Sequence, residues 1–315
     1  MWRLVARRLL AVPLVLLGIT FVVFVAVDLS PNDPSTAALG PYASKQAKEQ
    51  FAAEHGLDDP MPVRYVRFLA DAAHGDLGTS VVRGEDVSAT LRDAAPVTLQ
   101  LTAMALVLAV LASTLLGTLG ALLRDRWPDR FVRVYSAAGV AAPDFWIGIL
   151  VVQFVCVKWS LLPAGGYVPF AEDPVQWFQH LIMPATVLAI PVSATLAVVV
   201  RASVAKELGR DYVRTARGSG LPRWNVIGKH VFRNAMVGPL TLVGVVAGNL
   251  LGGAVIVESI FTLPGLGTVL ITGVREGDLA PIRGVVILGA TAFVLTSLIV
   301  DLLYLALNPK LRHAR

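Results

Sequence analysis

The run VTLQLTAMALVLAVLASTLLGTLGALL at residues 97–123 contains no charged side chain and is long enough for a helix to cross a lipid bilayer. The chain is 55% hydrophobic and only 16% charged, whereas a soluble domain carries about 25% charged residues. Only helices and closed barrels satisfy the backbone in lipid, and this run lacks the two-residue alternation of a barrel strand. We therefore predict an all-α membrane protein with six transmembrane helices, at about residues 9–27, 97–123, 134–160, 181–203, 237–257 and 284–307.

The orientation of these spans follows from the distribution of lysine and arginine. With the N-terminus inside, the inner segments carry 18 of the 27 basic residues. The long segment 28–95 carries 6 basic and 11 acidic residues, which suits the outer side. The positive-inside rule therefore predicts a multi-pass protein with both termini in the cytoplasm. It also explains the net charge of +5, and the chain lacks the soluble basic domain that a nucleic-acid partner would require.

The spans divide the chain into segments with different predicted roles. Within the outer segment, Ser44 is expected to cap a helix that runs to about His55, and Pro62 to start another that runs to about Ala73. These helices predict a small cap over the outer mouth. The predicted organisation is an N-terminal cytoplasmic end and first span (1–27), an extracytoplasmic helical segment (28–95), a five-helix core (96–307) and a cytoplasmic tail (308–315).

The longest inner connection is the basic segment 201–236. Its first part is predicted to continue the fourth span as a helix. The stretch GSGLP at 218–222 then predicts a tight turn, because glycine permits backbone angles that other residues avoid and Pro222 can open a new helix. On that second helix we expect one apolar face, formed by Trp224, Ile227 and Val231.

Three interpretations of this basic segment compete. Its charge can serve only to fix the topology. A nucleotide-binding loop is disfavoured, because His230 follows Gly228 and Lys229 where a phosphate loop requires serine or threonine, and Arg223 stands where its first glycine belongs. The third interpretation is a helix that docks into a groove of a soluble partner. The residues alone do not choose between the first and the third.

The stretch DYVRTARGSGLP at 211–222 resembles the EAA loop of binding-protein-dependent ABC importers, in the variant of dipeptide, oligopeptide and nickel permeases. Tyr212 takes the place of the glutamate of that loop, and Gly218 and Ser219 depart from the expected alanine and basic residue. The resemblance extends over nearly the whole chain, which is similar to the B-type permease subunit of these importers. It includes GLDDPMPVRYVRFLADAAHGDLGTS at 56–80, LPAGGY at 162–167, GGAVIVESIFTLPGLG at 252–267 and DLLYLALNPKLR at 301–312.

This resemblance implies a type I ABC importer permease fold in the bacterial inner membrane and a non-catalytic subunit without a cofactor of its own. It implies four kinds of partner: a second homologous permease, two ATPase subunits or domains that bind ATP and magnesium, an extracytoplasmic substrate-binding protein, and the lipid bilayer. The expected substrate is a peptide, with nickel or another small solute as the alternative. The residues that the resemblance assigns to ATPase coupling are Tyr212, Thr215, Ala216, Gly220, Leu221, Pro222 and Trp224.

Polar residues within the predicted spans are candidates for the translocation path. Such residues are costly in lipid and face a cavity or a partner, although interhelical hydrogen bonding is the structural alternative. No HExxH, GxSxG or paired-cysteine motif occurs, so we predict no catalytic residue and no metal site. A protein of a different class, a stand-alone secondary carrier or channel, would use such a carboxylate as an ion site. The candidates are Asp144, Gln153, Asn249 and Glu258.

Overall fold

The computed structural model describes the backbone of residues 2–29 and 34–307 and the side chains of residues 12–29 and 34–299. The predicted tail at 308–315 therefore lies outside the described residues. Throughout the described backbone, regular secondary structure is helical, apart from one isolated bridge between Thr79 and Asp86. The prediction of an all-helical chain is confirmed.

The helices fall into an N-terminal series and a longer series that follows residue 86. The first series is α1 (Trp2–Asp28), α2 (Pro34–Leu39), α3 (Lys45–Glu54) and α4 (Met61–Ala73). The second series is α5 (Val87–Leu122), α6 (Trp127–Ala141), α7 (Asp144–Val151) with a π-helix (Val152–Lys158), α8 (Pro174–Leu208), α9 (Asp211–Gly218), α10 (Arg223–Asn225) with a π-helix (Val226–Phe232), α11 (Arg233–Ala235), α12 (Val237–Ile260), α13 (Leu266–Glu276) and α14 (Leu279–Leu307).

Four of the helices with described side chains are long and apolar enough to cross a membrane, namely α5, α8, α12 and α14. They contain the second, fourth, fifth and sixth predicted spans. The pair α6 and α7 passes the same test as one bent span, which gives up to five. The first predicted span lies in α1 (Trp2–Asp28), whose side chains are described from residue 12 onward. The total of six spans remains a prediction.

The third predicted span, 134–160, is not one continuous helix, so that prediction is wrong in this detail. Helix α6 ends at Ala141, α7 begins at Asp144, and the two are bent by 104°. Ala142 and Pro143 between them are extended, with ψ angles of 128° and 138°. Proline lacks an N–H group and disfavours the helical conformation in the residue before it, so the helix stops and restarts in a new direction.

The chain divides into two compact units, one built on residues 100–261 with the chain ends and one on residues 3–99 and 262–294. In the first unit, half of the apolar window of α8 is buried inside the chain, which makes α8 its central helix. A Cβ atom on Gly139 of α6 would lie 2.7 Å from Cβ of Ala194. A Cβ atom on Gly117 of α5 would lie equally close to Cβ of Val200. Glycine thus lets α5 and α6 approach α8 at backbone distance.

In the second unit, the two predicted short helices of segment 28–95 are confirmed. The Ser44 hydroxyl accepts a hydrogen bond from the N–H of Ala47 at 3.2 Å and caps α3. Pro62 lies in the first turn of α4. Gly56 and Gly75, which follow these helices, have the positive φ angles of +61° and +85° that favour glycine. The side of the membrane on which they lie remains a prediction.

Helix α4 packs along the end of α1. The Tyr65 hydroxyl donates a hydrogen bond to the carbonyl of Leu17 at 3.0 Å, and its ring packs edge-on against Phe21 and Phe24. Arg64 pairs with Asp28 at 2.6 Å. Because these contacts run from Leu17 to Asp28, α4 is fixed to the C-terminal half of α1.

The stretch LPGLG at 263–267 contains a turn that leads into the short helix α13. The N–H of Leu266 donates to the hydroxyl of Thr98 at 2.9 Å, within the same unit. After α13, Gly277 adopts a left-handed conformation with φ of +69°, and α14 begins two residues later.

Candidate coupling hairpin and intramembrane polar residues

The basic segment forms a helical hairpin, residues 211–235, which leaves the end of α8 at a break. We expected its first part, residues 201–217, to continue the fourth span. Residues 201–208 do so as the end of α8, but the prediction is wrong for residues 211–217. Helix α8 ends at Leu208, Gly209 caps it, and the extended backbone of Arg210 redirects the chain into α9. A glycine next to the end of a helix commonly stops it, so the hairpin is a separate element attached to α8.

The turn predicted at residues 218–222 is present, with Gly220 as its left-handed residue, whereas Gly218 still belongs to α9. Gly220 has φ of +76°. The N–H of Leu221 donates to the carbonyl of Ala216 at 3.3 Å, and the Ser219 hydroxyl donates to the carbonyl of Thr215 at 3.0 Å. The bond from Leu221 spans five residues past a left-handed glycine, which is the pattern of a Schellman motif. No atom lies within 4 Å of a Cβ built on Gly220, so the backbone angle alone requires glycine here.

The hairpin has a buried apolar core that it shares with the ends of α5 and α8. The predicted second helix is present and follows Pro222, but its predicted apolar face is partly wrong, because Val231 is buried while Trp224 is 74% exposed. The π-helical winding explains this, since it places residues five apart on one face and so pairs Val226 with Val231. The buried residues of this core are Ala121, Val200, Val204, Val213, Val226, Val231 and Ala235.

Tyr212 connects the end of α8 with the two arms of the hairpin. Its hydroxyl donates to a carboxylate oxygen of Glu207, on α8, at 2.8 Å. The side-chain amide of Asn234, beyond the turn, donates to the same hydroxyl at 3.4 Å. Burial of the ring raises the pKa of the Tyr212 phenol above its usual value, so it stays protonated and able to donate at physiological pH. We infer that Tyr212 sets the angle between α8 and the two arms.

Replacing Tyr212 by phenylalanine should loosen the hairpin without unfolding it. The ring still packs on the core, but the hydrogen bond to Glu207 is lost, which costs about 1–2 kcal/mol for a bond to a charged acceptor. Hydrogen exchange should therefore speed up in residues 211–235 and remain unchanged in α12. The control is Thr215→Val, which removes an exposed hydroxyl bonded only within α9 to the carbonyl of Asp211. Equal protection of the hairpin in Tyr212→Phe and the native protein would contradict this role.

The exposed surface of the hairpin combines an apolar tip with basic side chains. We define the tip as residues 220–224, where Leu221 and Trp224 are 42% and 74% exposed. Thr215 and Pro222 are also exposed, whereas Ala216 packs against the core. An exposed tryptophan at a rigid turn is typical of a residue that anchors a protein interface. The hairpin also carries exposed basic side chains, one of them within the tip: Arg214, Arg217, Arg223, Lys229 and Arg233.

The structure brings one of the intramembrane candidates to a helix interface. Asp144 is the first residue of α7, and its carboxylate lies 3.4 Å from the position that a Cβ of Gly253 on α12 would occupy. Asn249 is exposed one turn earlier on the same helix. Glu258 is fully buried within the chain, and Gln153 is exposed on the π-helix after α7. Asp144 and Asn249 thus flank the same stretch of α12, and the path role of all four remains a prediction.

The two hydrogen-bonding partners of Tyr212 could not be identified from the sequence. Glu207 precedes the break at Gly209, so a continuous helix would place it away from Tyr212. Asn234 lies 22 residues beyond Tyr212 and meets it only because the turn folds the arms together.

Two family models match this chain. The model described as binding-protein-dependent transport system inner membrane component matches residues 113–313. The N-terminal model of the same kind of transport-system membrane component matches residues 1–102. Together the two matches cover both the outer segment with α1 and the helices that carry the hairpin.

Full-length relatives occur among curated proteins. A protein of Brucella abortus strain 2308, named as a peptide transport system permease, is 34% identical over 99% of this chain and 100% of the relative. A protein of Escherichia coli K12, named as a D,D-dipeptide transport system permease, is 35% identical over 98% of this chain and 97% of its own. The glutathione transport system permease of Escherichia coli O6:H1 is 36% identical over 98% of both chains.

A solved structure shares the fold. A crystal structure of an amino acid ABC transporter with histidines superposes with a TM-score of 0.53 and 17% sequence identity. The match covers 69% of this chain and 94% of the other. At this identity the likeness concerns the arrangement of the helices.

Proposed function

The chain belongs to the family of binding-protein-dependent transport system inner membrane components, and on this basis we propose that it forms half of the translocation path of an ABC importer for peptides. The other half is a second homologous permease. Two ATPase subunits or domains bind ATP and magnesium at the cytoplasmic side, and a substrate-binding protein delivers the peptide from outside. The chain itself is non-catalytic, spans the bacterial inner membrane and has both termini in the cytoplasm.

The observation that carries the coupling role is the construction of the hairpin. A loop that only fixes topology by charge needs no internal order. Here the arms share a buried core with α5 and α8, and a Schellman turn presents Leu221 and Trp224 to the outside. A rigid element with an exposed apolar tip and a cationic rim suits a cleft with an apolar floor and acidic edges on an ATPase. Displacement of that tip reaches the spans through the shared core.

The names of the relatives support a peptide as the substrate. They are a peptide, a D,D-dipeptide and a glutathione transport permease, and all three substrates contain peptide bonds. Nickel or another small solute is the alternative within the same architecture. We place Asp144, Gln153, Asn249 and Glu258 in or beside the path, with Asp144 as the principal contact.

The test is purification of the tagged full-length chain from its native membrane. We expect two ATPases and a second permease to co-purify. Proteoliposomes that contain this complex should accumulate a labelled tripeptide only under two conditions. ATP must be supplied on the side of the membrane that the ATPases face, and the binding protein must be present. Uptake by the isolated chain, driven by an ion gradient, would instead show a secondary carrier.

A further inference from the structure

A carboxylate with no exposed surface lies at the start of α6. The side chain of Asp129 is 0% exposed. One oxygen accepts a charge-assisted hydrogen bond from Nε of Arg201 on α8, and the other lies 3.3 Å from the guanidinium of Arg133. The backbone N–H of Asp125 donates to that second oxygen at 3.1 Å. Since each carboxylate oxygen has a donor, this group is held in a single orientation.

This ion pair lies at the base of the hairpin. Arg201 follows Val200, a member of the buried core that the hairpin shares with α8. A Cβ atom on Gly120 of α5 would meet Cδ of Arg201 at 3.4 Å and Cγ2 of Val132 at 3.3 Å. Helices α5, α6 and α8 therefore converge on the Arg201 side chain.

From the ion pair, α6 remains in contact with α8 up to its break. The hydroxyls of Tyr135 and Ser193 are hydrogen-bonded to each other, and Gly139 packs directly on Ala194. Two residues later α6 ends, and the chain turns into α7 at Asp144. The contacts thus form an unbroken line from the hairpin to the first residue of α7.

We propose that Asp129 is a positioning residue of the transport cycle, which makes α6 follow α8 when the hairpin moves and so carries that movement to the break before Asp144. This rests on the proposed coupling role of the hairpin. A buried charge pair is a poor source of stability, because apolar residues of similar volume hold helices together as well. What it provides is direction, because the Nε–H of Arg201 donates to one oxygen of a carboxylate that is itself held in place.

The test uses the assembled complex and a reporter that needs no transported substrate. In a Cys156→Ala background, Phe145→Cys places a thiol on an exposed residue beside Asp144. We expect trapping with ATP, magnesium and vanadate to change the rate of maleimide labelling at this thiol by at least about fivefold, the size of a typical allosteric coupling. With Asp129→Asn, the ATPases should still bind and trap nucleotide, but the labelling rate should change by less than about twofold.

The matched control is Asp125→Asn, the same chemical change in the same connection. Asp125 is 81% exposed at its side chain and has φ of +64°, which asparagine tolerates. It should behave as the native complex does. If Asp129→Asn fails to assemble, the apolar pair Asp129→Leu with Arg201→Met replaces it, and that pair should assemble and lose the labelling response.

Two outcomes separate this inference from the function on which it rests. If an assembled Asp129 variant changed its maleimide labelling rate on trapping as much as the native complex does, the role of Asp129 would be overturned. The proposed importer function would still stand. Failure of the ATPases to bind the native chain would overturn the proposed function itself. A loss of response that tracks loss of nucleotide trapping would show a merely structural role and would also overturn the inference.

Discussion

Replacing Gly220 by valine is expected to weaken binding of the ATPase subunits by about tenfold or more, while the chain still inserts into the membrane. The left-handed conformation of Gly220, with φ of +76°, costs about 1–2 kcal/mol for a residue with a side chain, and a β-branched residue is the least tolerant. The turn then opens, and the bond from Leu221 to Ala216 breaks. Leu221 and Trp224 would no longer be presented together.

The chain supplies matched controls for this variant. Gly218 is the last residue of α9, and no atom lies within 4 Å of a Cβ added to it. Gly218→Ala should therefore leave ATPase binding intact and stabilise α9 by up to about 1 kcal/mol. Gly220→Asn should fall between the two, because asparagine tolerates the left-handed region.

Co-purification of the ATPases and ATP-dependent uptake in proteoliposomes measure these effects. The order of activity should be Gly218→Ala, then Gly220→Asn, then Gly220→Val. Native levels of ATPase binding and uptake in Gly220→Val would show that the turn does not need its present shape. A matching loss in Gly218→Ala would show that the departure from alanine at this position is itself functional.

The presence of the apolar helices was predictable because lipid allows few other structures. A run of residues without charge must satisfy its backbone internally, and this alone predicts α5, α8, α12 and α14. The caps of α3 and α4 were predictable because their signals are local, such as the hydroxyl of Ser44.

The effect of each proline was not predictable from the sequence. Pro184 and Pro191 lie inside the continuous helix α8, and Pro13 lies inside α1. Pro143 separates two helices that meet at 104°. Neighbouring helices decide which of these prolines is tolerated, because their packing compensates for the lost hydrogen bond in one place and not in another.

The same limit applies to the hairpin. The two glycines indicated its turn, since a left-handed residue has a strong local preference. The buried face was missed because a π-helix changes the spacing from the usual three or four residues to five, as between Val226 and Val231. The partnership of Asp129 with Arg201 spans 72 residues and depends on the packing of α6 against α8.

Changing Asp144 to asparagine is expected to lower peptide uptake by about tenfold or more without loss of the assembled complex. The carboxylate lies at the first residue of α7, directly after the break, and against the bare backbone of Gly253. An ionised group in a path through the membrane pairs with a cation that passes it, and the amino terminus of a peptide is such a cation. Asparagine keeps the shape and removes that attraction.

A structural explanation competes with this one, because a carboxylate in the first turn also stabilises its helix through the macrodipole. Asp173 provides the comparison. It caps α8, where its carboxylate accepts from the N–H groups of Val175 and Gln176 at 2.9 and 3.0 Å. Asp173→Asn should cost about 1 kcal/mol of stability or less and leave uptake near the native level.

The two roles of Asp144 separate when a tripeptide with a free amino terminus is compared with its N-acetylated form. If Asp144 meets the peptide, Asp144→Asn should slow the free tripeptide far more than the acetylated one. If it only stabilises α7, both should slow together, in proportion to the loss of assembled complex. Because a weakened α7 would slow both peptides alike, a selective loss for the free tripeptide at full assembly can arise only from the lost charge in the path.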